Sequence, residues 1–432
     1  MSNGYPSTMR IKAQSLVVFT TLAAVPLGFA FAQEMGAPGP AMPSPTVAPA
    51  PVQPAPEPVV VPPPTWTAAD AQELLAFIRG IGAEGLDPLD YTPDRLAAAI
   101  GSGNSDLMSQ AATERFKRVS NDLALGYVRR ADRQQWLIPD PDLDSSRQDL
   151  LLRTALQQNR IGDALRGLLP THPQYASLKT ALAATPKSET AKINRIRLNM
   201  DRWRWLPRDL GERYIIVNVP AYTAALVEDG ITKSRHRAVA GATRTPTPQL
   251  MATATGVILN PWWEVPKSIE PEVRGKRGYV AVKNDKGETI RWRQPPGPSN
   301  ALGQIKFVMP NPEAIYLHDT NARGLFDTRA RAYSHGCIRT EHIMQLAKIL
   351  LAEDGGEWTA EKVDAAVASK KSVQANFVKP LPVYIVYMSS AAHVDGRIID
   401  YADIYKRDDK VLAALLDRKP AAEAKVAERR TQ

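Results

Sequence analysis

The spacing of apolar residues changes near Pro207 and divides this 432-residue chain into two regions of different secondary structure. Between residues 66 and 193, apolar residues recur every three or four positions, as in segments 68–79 and 107–130, which predicts amphipathic helices. A further helix is predicted at 188–205, and short runs rich in β-branched and aromatic residues then predict strands as far as residue 405. We therefore expect an α+β fold, in which a helical domain at 66–193 precedes a β-rich domain at 194–405.

The first 32 residues have the features of a secretory signal peptide. Arg10 and Lys12 precede an apolar run at 16–31, and Ala30-Phe31-Ala32 matches a signal-peptidase site, so cleavage is expected after Ala32. The alternative is an uncleaved inner-membrane anchor, which a proline and a glycine inside so short a run disfavour. We expect a periplasmic protein.

Residues 33–65 differ from the rest of the chain in composition. Twelve of the 36 prolines lie between Pro38 and Pro64, and the segment carries almost no charge, so it is expected to be an extended tether. At the other end, residues 406–432 are expected to form a helix followed by a basic tail.

The charge balance is mildly basic. Fifty-four Lys and Arg residues against 45 Asp and Glu give a net charge of +9, and these charges are scattered along the chain. This suits an anionic neighbourhood such as a cell-wall polymer or the inner-membrane surface, where a peripheral association is expected, and it requires no nucleic acid. After the N-terminus no run of 20 apolar residues occurs, which excludes a polytopic membrane protein.

The single cysteine marks the region with the clearest chemistry. Exported proteins usually pair their cysteines, yet Cys337 has no possible partner in the chain and follows His318 by 19 residues. Taken singly, a buried cysteine and a structural histidine would explain these two residues. Together, at the end of a predicted strand and in a glycine-containing turn, they suggest a thiol nucleophile and its base.

The residues around Cys337 support this interpretation. Thr340 is predicted to be the N-cap of a helix at 341–351, which would place Cys337 next to a helix N-terminus and lower its thiol pKa. Arg339 would act in the same direction. Gly336 would let the backbone approach a substrate closely, so N–H groups near Gly336 and Cys337 are candidates for an oxyanion hole.

The sequence from His318 to Ser334-His335-Gly336-Cys337-Ile338-Arg339 resembles the active-site motif of the YkuD family of L,D-transpeptidases. Segments 202–207, 260–266, 294–303 and 316–320 resemble the larger, YcbB-like branch, and residues 85–88 resemble its scaffold domain. The resemblance covers roughly residues 66–405. It implies a β-rich catalytic domain with a mixed sheet or sandwich and a helix after the cysteine, plus an N-terminal helical scaffold domain.

The resemblance also implies roles for individual residues. Cys337 would be the nucleophile, His318 its proton acceptor and donor, and the backbone carbonyl of Asp319 the group that orients His318. The active-site loop and oxyanion hole would comprise Ser334, His335, Gly336 and Arg339. The expected substrate-binding residues are Tyr316, Tyr333 and Trp263, and residues 267–292 would form a capping loop.

The implied reaction joins two peptidoglycan tetrapeptide stems. Cys337 would attack the carbonyl of meso-diaminopimelate, release D-Ala, and pass the acyl group to the side-chain amine of a second diaminopimelate, giving a 3→3 cross-link. Carbapenem β-lactams would be covalent inhibitors. The resemblance implies neither a metal nor an organic cofactor.

Four alternatives remain open at the level of sequence. Water could resolve the same thioester, as in an L,D-carboxypeptidase or cross-link hydrolase, or a lipoprotein lysine could be the acceptor. A papain-like amidase is a different class, in which the cysteine precedes its histidine. A non-catalytic wall-binding module would need neither His318 nor Cys337.

Overall fold

The structure, a computed structural model, describes residues 63–139 and 142–417. The expected signal peptide, nearly all of the tether and the tail beyond residue 417 lie outside the described residues. Within the described residues, no helix combines the length and apolar character that a membrane span needs.

Helices form the first half of the described chain, and most of their starts have a side-chain cap. Thr67 and Asp70 form a reciprocal capping box at the first helix, and the Asn104 side chain accepts hydrogen bonds from two backbone N–H groups of the third. The helices are α1 Ala68–Gly80, α2 Pro93–Gly101, α3 Ser105–Leu125, α4 Ser145–Gln158, α5 Ile161–Arg166, α6 Pro173–Ala184 and α7 Thr190–Arg204.

Helix α3 ends five residues earlier than the sequence pattern predicted. At Gly126 the backbone turns to φ +88°, and a Cβ there would lie 2.4 Å from Cδ1 of Trp205. Only glycine therefore fits where this chain segment passes the Trp205 ring of α7. The apolar faces of α1 to α5 share one core, which includes Leu74, Phe116 and Leu152.

The second half of the chain is dominated by one mixed nine-stranded sheet. Its order is β10-β3-β11-β9-β8-β4-β12-β1-β2, and a further β2–β3 pairing closes it on itself. The strands are β1 Arg213–Asn218, β2 Thr223–Glu228, β3 Ile231–Gly241, β4 Leu250–Leu259, β5 Trp263–Glu264, β6 Val280–Lys283, β7 Thr289–Gln294, β8 Ile305–Val308, β9 Leu317–His318, β10 Ala332–Ser334, β11 Ile338–Thr340, β12 Val373–Val386, β13 Ser390–Ala392 and β14 Ile398–Asp400. This arrangement is the α+β fold with a mixed sheet that the sequence predicted.

The segment expected to be a capping loop contains regular structure. It includes the short helix α8 Glu270–Val273 and the strands β6 and β7, which join β5 in a separate three-stranded sheet. Val265, Ile269 and Val273 form a small apolar cluster under it. The segment is thus a small folded unit with its own core.

Helix α9 Ile343–Glu353 follows the cysteine but begins later than predicted. Thr340 is not an N-cap: it lies in β11 and pairs with Ala238 of β3, so its backbone is extended. His342, at φ +51°, precedes the helix instead, and its side chain makes no capping hydrogen bond. Pairing with a strand that is distant in sequence prevailed over the local capping preference of threonine.

The C-terminal part of the described chain returns to the helical half. Helix α10 Ala360–Ala368 packs beside α9, and α11 Asp408–Leu416 packs on α7. Nη2 of Arg202 in α7 lies 2.8 Å from Oδ1 of Asp408. A second apolar cluster, which includes Trp203, Trp205 and Tyr384, joins α7 to the sheet.

Candidate active site

Three neighbouring strands bring the candidate residues together. In the register of the sheet, His318 of β9 is opposite Arg339 of β11 on one side and Lys306 of β8 on the other. Because side chains alternate along a strand, these three share one face, and Tyr316 and Cys337, two residues away from His318 and Arg339, lie on that face too. The opposite face carries Ile305, Phe307, Leu317 and Ile338, all in the core of the sheet.

His318 is buried and held in one orientation. Its Nδ1 lies 2.5 Å from the carbonyl oxygen of Asp319, the group expected to orient it. Since a carbonyl oxygen can only accept, Nδ1 carries the proton and Nε2 keeps a lone pair. Burial, with Arg339 and Lys306 in support, lowers the pKa of His318 to about 3 against the opposing effect of the Asp319 carbonyl. At neutral pH the ring is a free base.

The thiol of Cys337 is partly buried and borders Tyr316. Sγ donates to the carbonyl oxygen of Ala314 at 3.6 Å, and within the described residues it has no hydrogen bond to His318. Burial raises the pKa of the thiol, while the Tyr316 N–H and hydroxyl, Lys306 and Arg339 oppose that rise. The expectation that a helix N-terminus lowers the thiol pKa is therefore wrong, because strand β11 separates Cys337 from α9.

The loop from Ser334 to Cys337 is fixed by internal hydrogen bonds. Ser334 Oγ donates to the Cys337 carbonyl at 2.5 Å and accepts from the Gly336 N–H at 3.1 Å. Gly336 has φ +118°, so glycine suits this position. Because its N–H is already used, Gly336 does not offer an oxyanion donor. The Cys337 N–H makes no hydrogen bond to another described residue, so it is the better candidate for an oxyanion-hole donor.

A loop that contains Thr245 and Thr247 forms hydrogen bonds with the 334–337 loop. The sequence analysis did not identify this contact. Thr245 Oγ1 donates to the Ser334 carbonyl at 3.0 Å, and Thr247 Oγ1 donates to the Gly336 carbonyl at 2.7 Å. Threonines are common in loops, so nothing in the sequence distinguished these two.

The His335 side chain contacts the capping segment. Its Nε2 lies 3.0 Å from Oε1 of Glu272 in α8. Both side chains are partly exposed. The residue thus ties the loop that carries Cys337 to the capping segment, a contact that the sequence did not reveal.

The aromatic residues expected to bind substrate have different surroundings. The Tyr316 ring packs edge-on against His318 with centroids 5.6 Å apart. Burial and the neighbouring Cys337 raise the pKa of the Tyr316 hydroxyl, and a hydrogen bond with Trp263 opposes that rise. Trp263 also packs against Tyr279 of the capping segment. Tyr333 is 48% exposed and lies on β10, towards Tyr222. Of the three, Tyr316 therefore borders the thiol, and Trp263 contacts Tyr316.

The Asp319 carboxylate has a separate structural task. Its oxygens accept from the Gln304 N–H at 2.9 Å and from Arg323 Nη2 at 3.1 Å. A Cβ at Gly303 would lie 2.3 Å from Oδ2 of Asp319. The side chain thus holds the turn before β8, while the backbone carbonyl holds His318.

Lys306 is the main functional candidate that sequence reasoning missed. Its Nζ lies 4.0 Å from the centroid of the Tyr316 ring, and burial lowers its pKa. In the sequence it is one polar residue between Ile305 and Phe307, a spacing that indicates only that it faces away from the core.

Among the described residues, no group of three or more His, Cys, Asp or Glu side chains could hold a metal ion.

Two family models match the chain. The YkuD model, described as the L,D-transpeptidase catalytic domain, matches residues 212–374, and the Scaffold domain model matches residues 62–182. The first contains both His318 and Cys337. A protein of Haemophilus influenzae named "Putative L,D-transpeptidase" is 28% identical over 386 residues, which cover 81% of this chain and 76% of that protein.

Solved structures of L,D-transpeptidases also align with part of the chain. One from Mycobacterium smegmatis is 15% identical with a TM-score of 0.22, and covers 40% of this chain and 58% of its own. L,D-transpeptidase 3 from Mycobacterium tuberculosis, in complex with a faropenem-derived adduct, is 12% identical with a TM-score of 0.22, and covers 40% of this chain and 60% of its own. This chain thus spans less than two thirds of the length of either solved chain.

Proposed function

The chain belongs to the L,D-transpeptidases by its YkuD catalytic domain, and we propose that it forms 3→3 cross-links between peptidoglycan stems. The donor would be a tetrapeptide stem that loses its terminal D-Ala, and the acceptor the side-chain amine of meso-diaminopimelate on a second stem. One observation carries the proposal: a thiol and a neutral, oriented imidazole lie on the same face of adjacent strands. Acyl transfer through a covalent intermediate needs this pair.

In the first half-reaction Sγ of Cys337 bonds to the carbonyl carbon of diaminopimelate. His318 Nε2 takes the thiol proton, and the Cys337 N–H stabilises the negative charge on the carbonyl oxygen. When the bond to the D-Ala nitrogen breaks, the imidazolium returns the proton to that nitrogen. D-Ala leaves as a neutral amine, and a thioester remains. The low pKa of His318 makes its imidazolium a strong acid, which favours return of the proton to the D-Ala nitrogen and makes the first removal of the thiol proton less favourable.

In the second half-reaction the acceptor amine attacks the thioester. His318 removes a proton from the amine as the new amide bond forms, and the carbon–sulfur bond breaks. The proton then returns to the sulfur, which restores the thiol. Ping-pong kinetics follow from this order.

The proposal extends to location and inhibitors. The basic segment, apolar run and A-x-A motif at residues 1–32 support export through a cleaved signal peptide, since the substrate is in the cell wall. An activated thiol also opens a strained lactam as it opens an amide, so a carbapenem is expected to acylate Cys337. Intact mass of the exported protein, before and after addition of a carbapenem, tests both points.

Product analysis tests the central reaction. The purified protein is incubated with disaccharide-tetrapeptide, and dimers and D-Ala are followed by mass spectrometry. We expect the wild type to form dimers bonded between two diaminopimelate residues, and Cys337→Ala to form none. The control Asp163→Ala, which removes an exposed ion pair at α5, should still form them. Tripeptide and D-Ala without dimers would identify a carboxypeptidase instead. Dimers from Cys337→Ala would refute the thioester mechanism.

A further inference from the structure

Two cationic side chains flank His318, and no carboxylate neutralises them among the described residues. Lys306 and Arg339 lie on either side of His318 in the row across β8, β9 and β11. Neither makes an ion pair with any described residue, and Nε of Arg339 is buried without a hydrogen-bond partner. Glu264 is the acidic residue whose charge reaches Lys306, but its own partner is Arg291, 3.3 Å away.

Two buried arginines of α7, by contrast, do have carboxylate partners. Arg202 pairs with Asp408, and Arg204 pairs with Asp201. Removing a cation from water without an anion nearby costs free energy, so such groups are normally paired. Lys306 and Arg339 instead face the thiol, where a substrate would supply the missing charge.

We propose that Lys306 and Arg339 together bind the α-carboxylate of the residue that leaves the donor stem. The inference rests on the proposed function and adds to it a determinant of donor recognition. In a peptide, the carboxylate carbon of the terminal residue lies roughly 3–4 Å from the preceding carbonyl carbon, because three bonds join them. A carbonyl carbon placed at Sγ of Cys337 therefore brings that carboxylate within reach of the flanking cations.

The charge of the two cations matches a free carboxylate at the end of the donor. A carboxylate forms charge-assisted hydrogen bonds with ammonium and guanidinium groups, whereas a terminal amide is neutral. The two cations therefore favour a donor that ends in a free carboxylate over one that ends in an amide.

A pair of alkylating reagents tests the carboxylate site without any peptidoglycan. Iodoacetate and iodoacetamide have similar shapes and react with the same thiolate of Cys337, but only iodoacetate is negatively charged. The ratio of their rates cancels the thiolate fraction and reports the affinity of the site for a carboxylate. Relative to a free cysteine derivative, we expect the protein to favour iodoacetate.

Variants assign that preference to residues. Lys306→Met is expected to lower the iodoacetate-to-iodoacetamide ratio by roughly tenfold, as for loss of one charge-assisted hydrogen bond. Lys306→Arg is expected to keep most of it, and Arg339→Gln to lower it as Lys306→Met does. Lys348→Met is the matched control, since that lysine pairs with Asp364 on the far helices. Circular dichroism checks that each variant is folded.

Equal slowing of both reagents in Lys306→Met would overturn the proposal, because Lys306 would then act on the thiol alone. An unchanged ratio in both Lys306→Met and Arg339→Gln would overturn it as well. A second assay uses tetrapeptide donors with a free or an amidated terminal residue, for which Lys306→Met should raise KM of the free acid alone. If the wild type turns over neither donor, the proposed function fails, while the alkylation ratio still decides the carboxylate site.

Discussion

Charged side chains have different partners in the core of the helical half and around His318 in the sheet. In the helical half, Arg204 of α7 lies against Asp201, the Tyr175 hydroxyl and the Glu84 carbonyl. In the sheet, Lys306 and Arg339 flank His318 without a carboxylate partner among the described residues.

The Asp201 carboxylate at the centre of the cluster in the helical half has several hydrogen-bond donors. The Asp201 carboxylate accepts from the Arg204 guanidinium, from the N–H groups of Tyr127 and Val128 at 2.7 and 3.1 Å, and from the Trp205 indole at 2.9 Å. These bonds join the end of α3 to α7. A buried ion pair of this kind fixes one arrangement of the helices. If either partner is removed, the remaining charge stays buried and its desolvation cost is no longer offset.

The difference shows how to separate structural from functional charge in this fold. A charge that already has its partners contributes to the folded state alone, whereas a charge without them costs stability and is available to a ligand. Four substitutions or measurements test that distinction.

Asp201→Ala should have the largest effect on stability. It removes the carboxylate that pairs with Arg204 and accepts from three further donors in a site of almost no exposure, so we expect the free energy of unfolding to fall by about 3–5 kcal/mol. Urea denaturation followed by circular dichroism measures the change. Asp163→Ala, which removes an exposed partner of Arg160 and Arg166, is the control and should leave the midpoint almost unchanged. A loss of similar size in both variants would remove the distinction.

The pH dependence of kcat/KM should show the effect of the unpaired cations on His318. Its pKa of about 3 keeps the ring neutral well below pH 6.5, so the acid limb of the profile should lie near pH 3–4. Arg339→Gln removes the larger of the two charge effects and should move that limb upwards. A wild-type limb near pH 6.5 would contradict this assignment.

Asp122→Asn should stabilise the helical half, and more so at alkaline pH. Burial raises the pKa of Asp122 to about 7, although the Tyr91 hydroxyl, 2.9 Å away, acts against this rise. Between about pH 4 and pH 7 the unfolded chain therefore loses this proton while the folded protein keeps it, so stability falls as pH rises. Asparagine has no proton to lose, and we expect a gain of about 1–2 kcal/mol at pH 8.

Urea denaturation of Asp122→Asn and the wild type at pH 4 and pH 8 measures that difference. The gain should nearly vanish at pH 4, where the folded protein keeps this proton and about half of the unfolded chains still carry it. An equal gain at both values would mean that the ionisation of Asp122 is not its source.

Lys306→Met should have the smallest effect on stability, and in the opposite direction to Asp201→Ala. Methionine keeps the length of the side chain and removes a desolvated ammonium, so we expect the free energy of unfolding to rise by up to about 1 kcal/mol. Thermal denaturation at pH 7 is sufficient to measure it. A loss of several kcal/mol would show that Lys306 has a structural partner after all.

The candidate site residues could be named from the sequence, whereas some of the elements around them could not be placed from it. Cys337 and His318 stand out because they form a recognisable motif around the single cysteine. The start of α9 was misplaced because Thr340 has a strong local capping preference, while the pairing that overrides it involves Ala238, about 100 residues away. Lys306 could not be identified for the same reason. Its position opposite His318 depends on the register of two strands, which the local sequence does not record.

The closed sheet has a consequence for the behaviour of the protein at high concentration. Among the described residues, each strand of the nine-stranded sheet has neighbours on both sides, except the three-residue β10, which pairs with β3 alone. Open edges are where strands of separate molecules add to one another and begin to aggregate. Apart from the short open edge of β10, self-association through the edges of this sheet would first have to break the β2–β3 pairing.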